Sequence, residues 1–133
     1  MSEACLTINF KTKNISIDGK AITFDHLNNG DFDTVFDSDQ HEWRIKKRFK
    51  LFGHVGDEIA VISKPAGLQF FIMIWAEEGH LLDSKIVKKL KNKYGLNLKT
   101  QHNSRVDILD TAWKHAYLEY DIRYSGITLV LKE

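Results

Sequence analysis

The stretch Trp43-Arg44-Ile45-Lys46-Lys47-Arg48-Phe49-Lys50-Leu51 carries cations at four alternate positions, Arg44, Lys46, Arg48 and Lys50. A β-strand points successive side chains to opposite faces, so these cations share one face while Trp43, Ile45, Phe49 and Leu51 share the other. Same-face neighbours stand about 6.6 to 6.8 Å apart, giving a straight ladder of positive charge on an apolar-backed strand. Such a ladder suits phosphates or an acidic protein surface. An edge strand whose lysines discourage aggregation shows the same pattern.

The segment before the ladder has the opposite character. Residues 25–42 combine Asn28-Asn29-Gly30 with Asp25, Asp31, Asp33, Asp37, Asp39 and Glu42, and they read as a loop or irregular excursion. Asp31, Asp33, Asp37, Asp39 and Glu42 occupy positions 1, 3, 7, 9 and 12 of a calcium-loop frame, but position 6 is Phe36 where that loop needs glycine. No metal is expected there, and Asp31, Asp33, Asp37 and Asp39 are better candidates for docking a basic partner. The net charge of +1 conceals this polarity: residues 1–42 sum to −5, residues 43–99 to +7 and residues 100–133 to −1.

Hydrophobic periodicity supplies the rest of the fold. Leu6, Ile8 and Phe10 alternate with polar residues as in a half-buried strand. Asp18-Gly19, between Ile15-Ser16-Ile17 and Lys20-Ala21-Ile22, is a type I′ hairpin signal that sets Ile17 opposite Lys20 and Ile15 opposite Ile22. The ladder strand, Trp43 to Phe52, leads through a turn at residues 53–57 into a short strand, Glu58 to Ser63. Lys64-Pro65-Ala66-Gly67 makes the next turn. The near-continuous apolar run from Leu68 to Trp75 then predicts a central strand buried on both faces.

A helix begins near Asp83 or Ser84 and stops at Gly95, with Ile86, Val87, Leu90 and Tyr94 on one face and five lysines around the other. Residues 100–114 fit either a strand around Val106 and Ile108 or a short helix opening at Asp110. Leu118, Tyr120, Ile122 and Tyr124 alternate with polar residues, and a turn at Ser125-Gly126 leads to Ile127, Leu129 and Leu131. The expected architecture is α+β: a single domain over residues 1–133, with a curved, mostly antiparallel sheet of about eight strands and one amphipathic helix over residues 84–94.

Several function classes lose support on composition. The longest apolar run, Phe70 to Ala76, is far too short to span a bilayer, so no membrane association is expected. The amino-terminal residues lack the basic and apolar regions of a secretory signal. The single cysteine, Cys5, precludes an internal disulfide and a cysteine-built zinc site, in keeping with a cytoplasmic location. Six scattered histidines show no metal-ligand spacing, and no cofactor is expected.

Two groups suit an enzyme with a carboxylate or histidine site: Glu77, Glu78 and His80 after the apolar strand, and Tyr117, Glu119, Asp121 and Arg123 along one strand face. Neither group contains a defined nucleophile. The expected function is therefore a small, non-catalytic binding protein of the inhibitor, immunity or adaptor type. It would act on a protein partner through Arg44, Lys46, Arg48 and Lys50 and through Asp31, Asp33, Asp37 and Asp39. The alternatives are a nucleic-acid-binding module using the 44–50 ladder and a small enzyme.

Overall fold

An unbroken strand through residues 43–51 would turn Lys47 toward the core between Ile45 and Phe49, where an unpaired ammonium is costly. The chain avoids this by interrupting the strand. In the computed structural model, which describes residues 3–75, 85–102, 105–121 and 126–133, the run is two strands separated by Lys46, Lys47 and Arg48. The elements are β1 (Ala4–Asn9), β2 (Asn14–Ile17), β3 (Lys20–Ala21), α1 (Phe24–Asn28), β4 (Thr34–Asp37), β5 (Glu42–Ile45) and β6 (Phe49–Leu51). They continue with β7 (His54–Lys64), β8 (Gly67–Trp75), α2 (Lys85–Asn92), β9 (Leu98–His102), β10 (Arg105–Ile108), β11 (His115–Asp121) and β12 (Gly126–Lys132).

Both β5 and β6 lie along the same edge of β7, with Ile45 opposite Ile59 and Phe49 opposite Gly56. Three residues on one side therefore face two on the other, which is a bulge in the ladder. The β7 strand has its own irregularity between Gly56 and Glu58 where it pairs with β8. That irregularity removes Asp57 from a core-facing position, so two charged residues on adjacent strands are turned outward at one place. The apolar parity survives the break: Trp43, Ile45, Phe49 and Leu51 are all buried.

The expected eight-strand α+β architecture is corrected. Among the described residues the strands form one open, mixed sheet of 12, in the order β3-β2-β1-β6-β7-β8-β12-β11-β10-β9, with β4 attached through β5. The β1–β6 pair is parallel. Extra strands come from three sources. The ladder divides in two, and the supposed loop of residues 25–42 contains α1 and the extended Thr-Val-Phe-Asp of β4. Residues 98–102 and 105–108 pair as a further hairpin, and no helix opens at Asp110. Among the described residues only α2 exceeds seven residues of helix.

That helix covers Lys85–Asn92 where residues 84–94 were expected. Its end follows the glycine logic: Gly95 takes φ +64°, and the Leu96 N–H donates to the Leu90 carbonyl at 3.1 Å. Ile86, Val87 and Leu90 join one hydrophobic cluster with the inward residues of the sheet, among them Ile59, Val61, Ile72, Leu118 and Leu129. Tyr94 lies beyond the helix and touches Phe10 and Phe52 edge to face.

The Asp18-Gly19 hairpin forms as expected, with φ of 51° and 84° at the two turn residues and Ile17 opposite Lys20. The 64–67 turn also forms and joins β7 to β8. The β8 strand is central, flanked by β7 and β12, but it is not buried on both faces. Phe70, Ile72 and Ile74 enter the core, whereas Met73 is 37% and Trp75 53% exposed on the opposite face. Aromatic bulk on that face is partly screened by Lys132, whose Nζ stands 5.5 Å from the Phe71 ring centre and 5.9 Å from that of Tyr117. Among the described residues no helix is long and apolar enough to cross a membrane.

Candidate partner-binding surface

The four ladder cations are exposed, yet most are held by carboxylates of the same chain. Arg44 Nε donates to Glu42 Oε1 at 2.7 Å, and Arg44 Nη1 stands 3.7 Å from Glu58. The hydrogen bond that Arg44 donates to Glu42, then the charges of Glu42 and Glu58, hold the Arg44 guanidinium more firmly protonated than usual. Arg48 and Lys50 share Glu3, at 3.4 and 3.9 Å. Their neighbour Lys47 is 3.5 Å from Asp18. Lys46 alone of the ladder makes no ion pair among the described residues.

These pairs follow from topology. Parallel pairing of β1 with β6 sets Cys5 opposite Lys50 and places Glu3 beside the cationic face. The β2–β3 hairpin delivers Asp18, whose Oδ1 accepts the Cys5 N–H at 2.8 Å. That hydrogen bond, with help from Lys47, holds the Asp18 carboxyl below its ordinary range. Lys46 and Lys47 also border a cleft of about 440 Å³ with Asp18, Asp31 and Asp33. The ladder is consequently a mixed-charge strip, and its field on a distant polyanion is reduced.

The acidic residues behave differently. Asp31 is engaged, with its carboxylate 2.7 Å from His26 Nδ1 and its carbonyl accepting from Lys20 at 3.0 Å. Asp37 shapes the β4–β5 turn, since its Oδ1 accepts the Asp39 and Gln40 N–H groups at 3.0 and 3.3 Å. Asp33, Asp37 and Asp39 are exposed and make no ion pair among the described residues.

Between these acids stand two apolar residues of β4, in the segment expected to be a loop. Val35 is 60% and Phe36 50% exposed. Phe36 leans on the buried Trp43 at 4.9 Å between ring centres, and Phe24 meets the same indole edge-on at 5.7 Å. The signal was present in the sequence as a β-branched and aromatic core, Thr34-Val35-Phe36, bracketed by aspartates. The register places Val35 opposite Arg44 and Asp37 opposite Glu42, so both point to the face of the sheet away from the core.

The enzyme candidates gain no support. Glu77, Glu78, His80 and Arg123 lie outside the described residues, and Glu119 is exposed opposite Arg105. Arg105 itself ion-pairs with Asp107 at 3.1 Å and stacks 3.9 Å from the Tyr117 ring centre. Among the described residues no group of three or more His, Cys, Asp or Glu side chains could hold a metal. No family model, curated protein or solved structure matches this chain, so its surface is interpreted from its own chemistry.

Proposed function

We propose that the protein is a non-catalytic binding protein that docks a basic surface of another protein on the β4–β5 hairpin. One observation carries this: Asp33, Asp37 and Asp39 are exposed and unpaired among the described residues beside exposed Val35 and Phe36, while three of four ladder cations have carboxylate partners. Unpaired charge supplies steering and selectivity, and adjacent apolar area supplies contact energy. An inhibitor, an immunity-type protein or an adaptor would each use such a surface. The internally paired cations weigh against a nucleic-acid-binding module, which needs free lysine and arginine to displace counterions.

Affinity capture from source-cell extract tests this. The native chain should retain a stoichiometric protein partner at low salt and lose it as screening rises. Recovery of nucleic acid alone, or of no stoichiometric protein, would overturn the proposal.

A further inference from the structure

Three features of this surface bear on how a partner is held. Among the described residues β4 pairs only with β5, so its other backbone edge has no strand partner. An unpaired edge presents N–H and C=O groups ready to accept another strand. The other terminal strands offer less: β3 has two residues, and β9 includes the basic Lys99. Among the described residues only β4 joins a free edge to two exposed large apolar side chains, Val35 and Phe36.

Charge then selects what can add. Val35 and Asp37 share the outward face, while Phe36 points the other way; Asp33, the residue just before β4, is exposed two positions ahead of Val35. Pairing with a second copy of β4, antiparallel and centred on Val35, would set Asp33 against Asp37 twice. Like charges directly opposite destabilise a strand pair. Self-pairing is thus disfavoured, and the same acids favour a strand with cations at those two positions.

Resting on the function proposed above, we infer that β4 takes up an extended partner segment by strand addition, the segment carrying basic, apolar and basic residues at alternate positions. Its apolar residue covers Val35 and its two cations face Asp33 and Asp37. An apolar residue on its reverse side covers Phe36. Main-chain hydrogen bonds along β4 supply the affinity, and the alternating side chains supply selectivity.

The probe is a synthetic peptide with a single core of lysine, valine, valine, threonine and lysine, which pairs antiparallel so that its first valine meets Phe36 and its second meets Val35, titrated into isotope-labelled protein by NMR. Its control carries the same side chains with backbone N-methyl groups, which cannot donate to a ladder. Binding of the unmethylated peptide should perturb and protect Thr34 to Asp37 amides, weaken about three- to tenfold in ~0.5 M salt, and fail for the methylated control. Equal binding of both peptides, perturbations centred away from β4, or no binding at low salt would overturn strand addition. A partner captured through the acidic hairpin would survive each of those results, so the two proposals fail separately.

Discussion

Replacing Gly56 by alanine should destabilise the protein more than any other single methyl group added to a described turn or strand glycine. Gly56 sits where β6, β7 and β8 meet, opposite Phe49 on one side and Ile74 on the other. A Cβ there would lie 2.4 Å from the Met73 carbonyl oxygen and 2.4 Å from Phe49 Cζ. Favourable carbon contacts need about 3.5 to 4.0 Å, so each neighbour must retreat by roughly 1 Å. Phe49 has no room to do so, being 1% exposed, and Met73 offers backbone of a central strand.

Overpacking of this kind costs about 1 to 3 kcal/mol, and the immobile neighbours place Gly56→Ala near 3 kcal/mol. For a domain of this size that corresponds to a fall in Tm of roughly 12 °C. Gly19→Ala is the internal comparison: its φ is +84° with open space around it, so only backbone strain of about 1 to 2 kcal/mol applies. Urea unfolding followed by circular dichroism should show a lower midpoint with an unchanged slope. Phe49→Leu, which removes the ring atoms in question, should recover part of the loss in the Gly56→Ala background. A Gly56→Ala midpoint equal to the native one, or above that of Gly19→Ala, would refute the packing argument.

Core and edge substitutions should separate folding from binding. Leu129→Ala, at a site with 0% exposure, is expected to cost about 2 to 5 kcal/mol in chemical denaturation. Val35→Thr should stay within about 0.5 kcal/mol of native stability while weakening partner capture; a large loss of stability would show that Val35 is structural. The Asp18 carboxyl should titrate below the ordinary aspartate value of about 3.9 in an NMR pH series. Its folded pKa is depressed, so its stabilisation is present above the unfolded pKa and disappears as pH falls through the folded one. Titration at or above the ordinary value would contradict the Cys5 hydrogen bond. Lys46→Gln with Arg48→Gln should leave the captured partner in place, and its loss would return the binding role to the ladder.

The local rules written into the chain were legible where one interaction dominates. Asp18-Gly19 must turn because both residues adopt positive φ, and Gly95 must end α2 for the same reason. The alternation from Trp43 to Leu51 correctly separated buried from exposed side chains. What it did not reveal was the break, although Lys47 at an inward position and Asp57 across from it mark the same fault on two strands. A strand drawn through Lys47 is a conflict between period and burial, and the bulge resolves it.

Long-range pairing was less accessible. Nothing local announces that β1 runs parallel to β6, yet this contact brings Glu3 to Arg48 and Lys50 and neutralises much of the ladder. The apolar run of β8 identified its central position but not the exposure of Met73 and Trp75, because covering a second face depends on the whole sheet. For β4 the dense aspartates masked a short β-branched strand. Sequence pattern offered the cations and the acids alike, and only tertiary structure separates Arg44, Arg48 and Lys50, which have carboxylate partners, from Asp33, Asp37 and Asp39, which make no ion pair among the described residues.

Titration calorimetry of the captured partner against the native chain and a variant carrying Asp33→Asn, Asp37→Asn and Asp39→Asn tests the central claim most directly. Asparagine keeps the acceptor that Asp37 supplies to the turn, so the variant removes charge and leaves the hairpin. Three exposed charge contacts at about 0.2 to 1 kcal/mol each predict an affinity loss of roughly tenfold at low salt. That difference should shrink as salt is raised. Equal affinities for the two chains at low salt would contradict docking on the acidic hairpin.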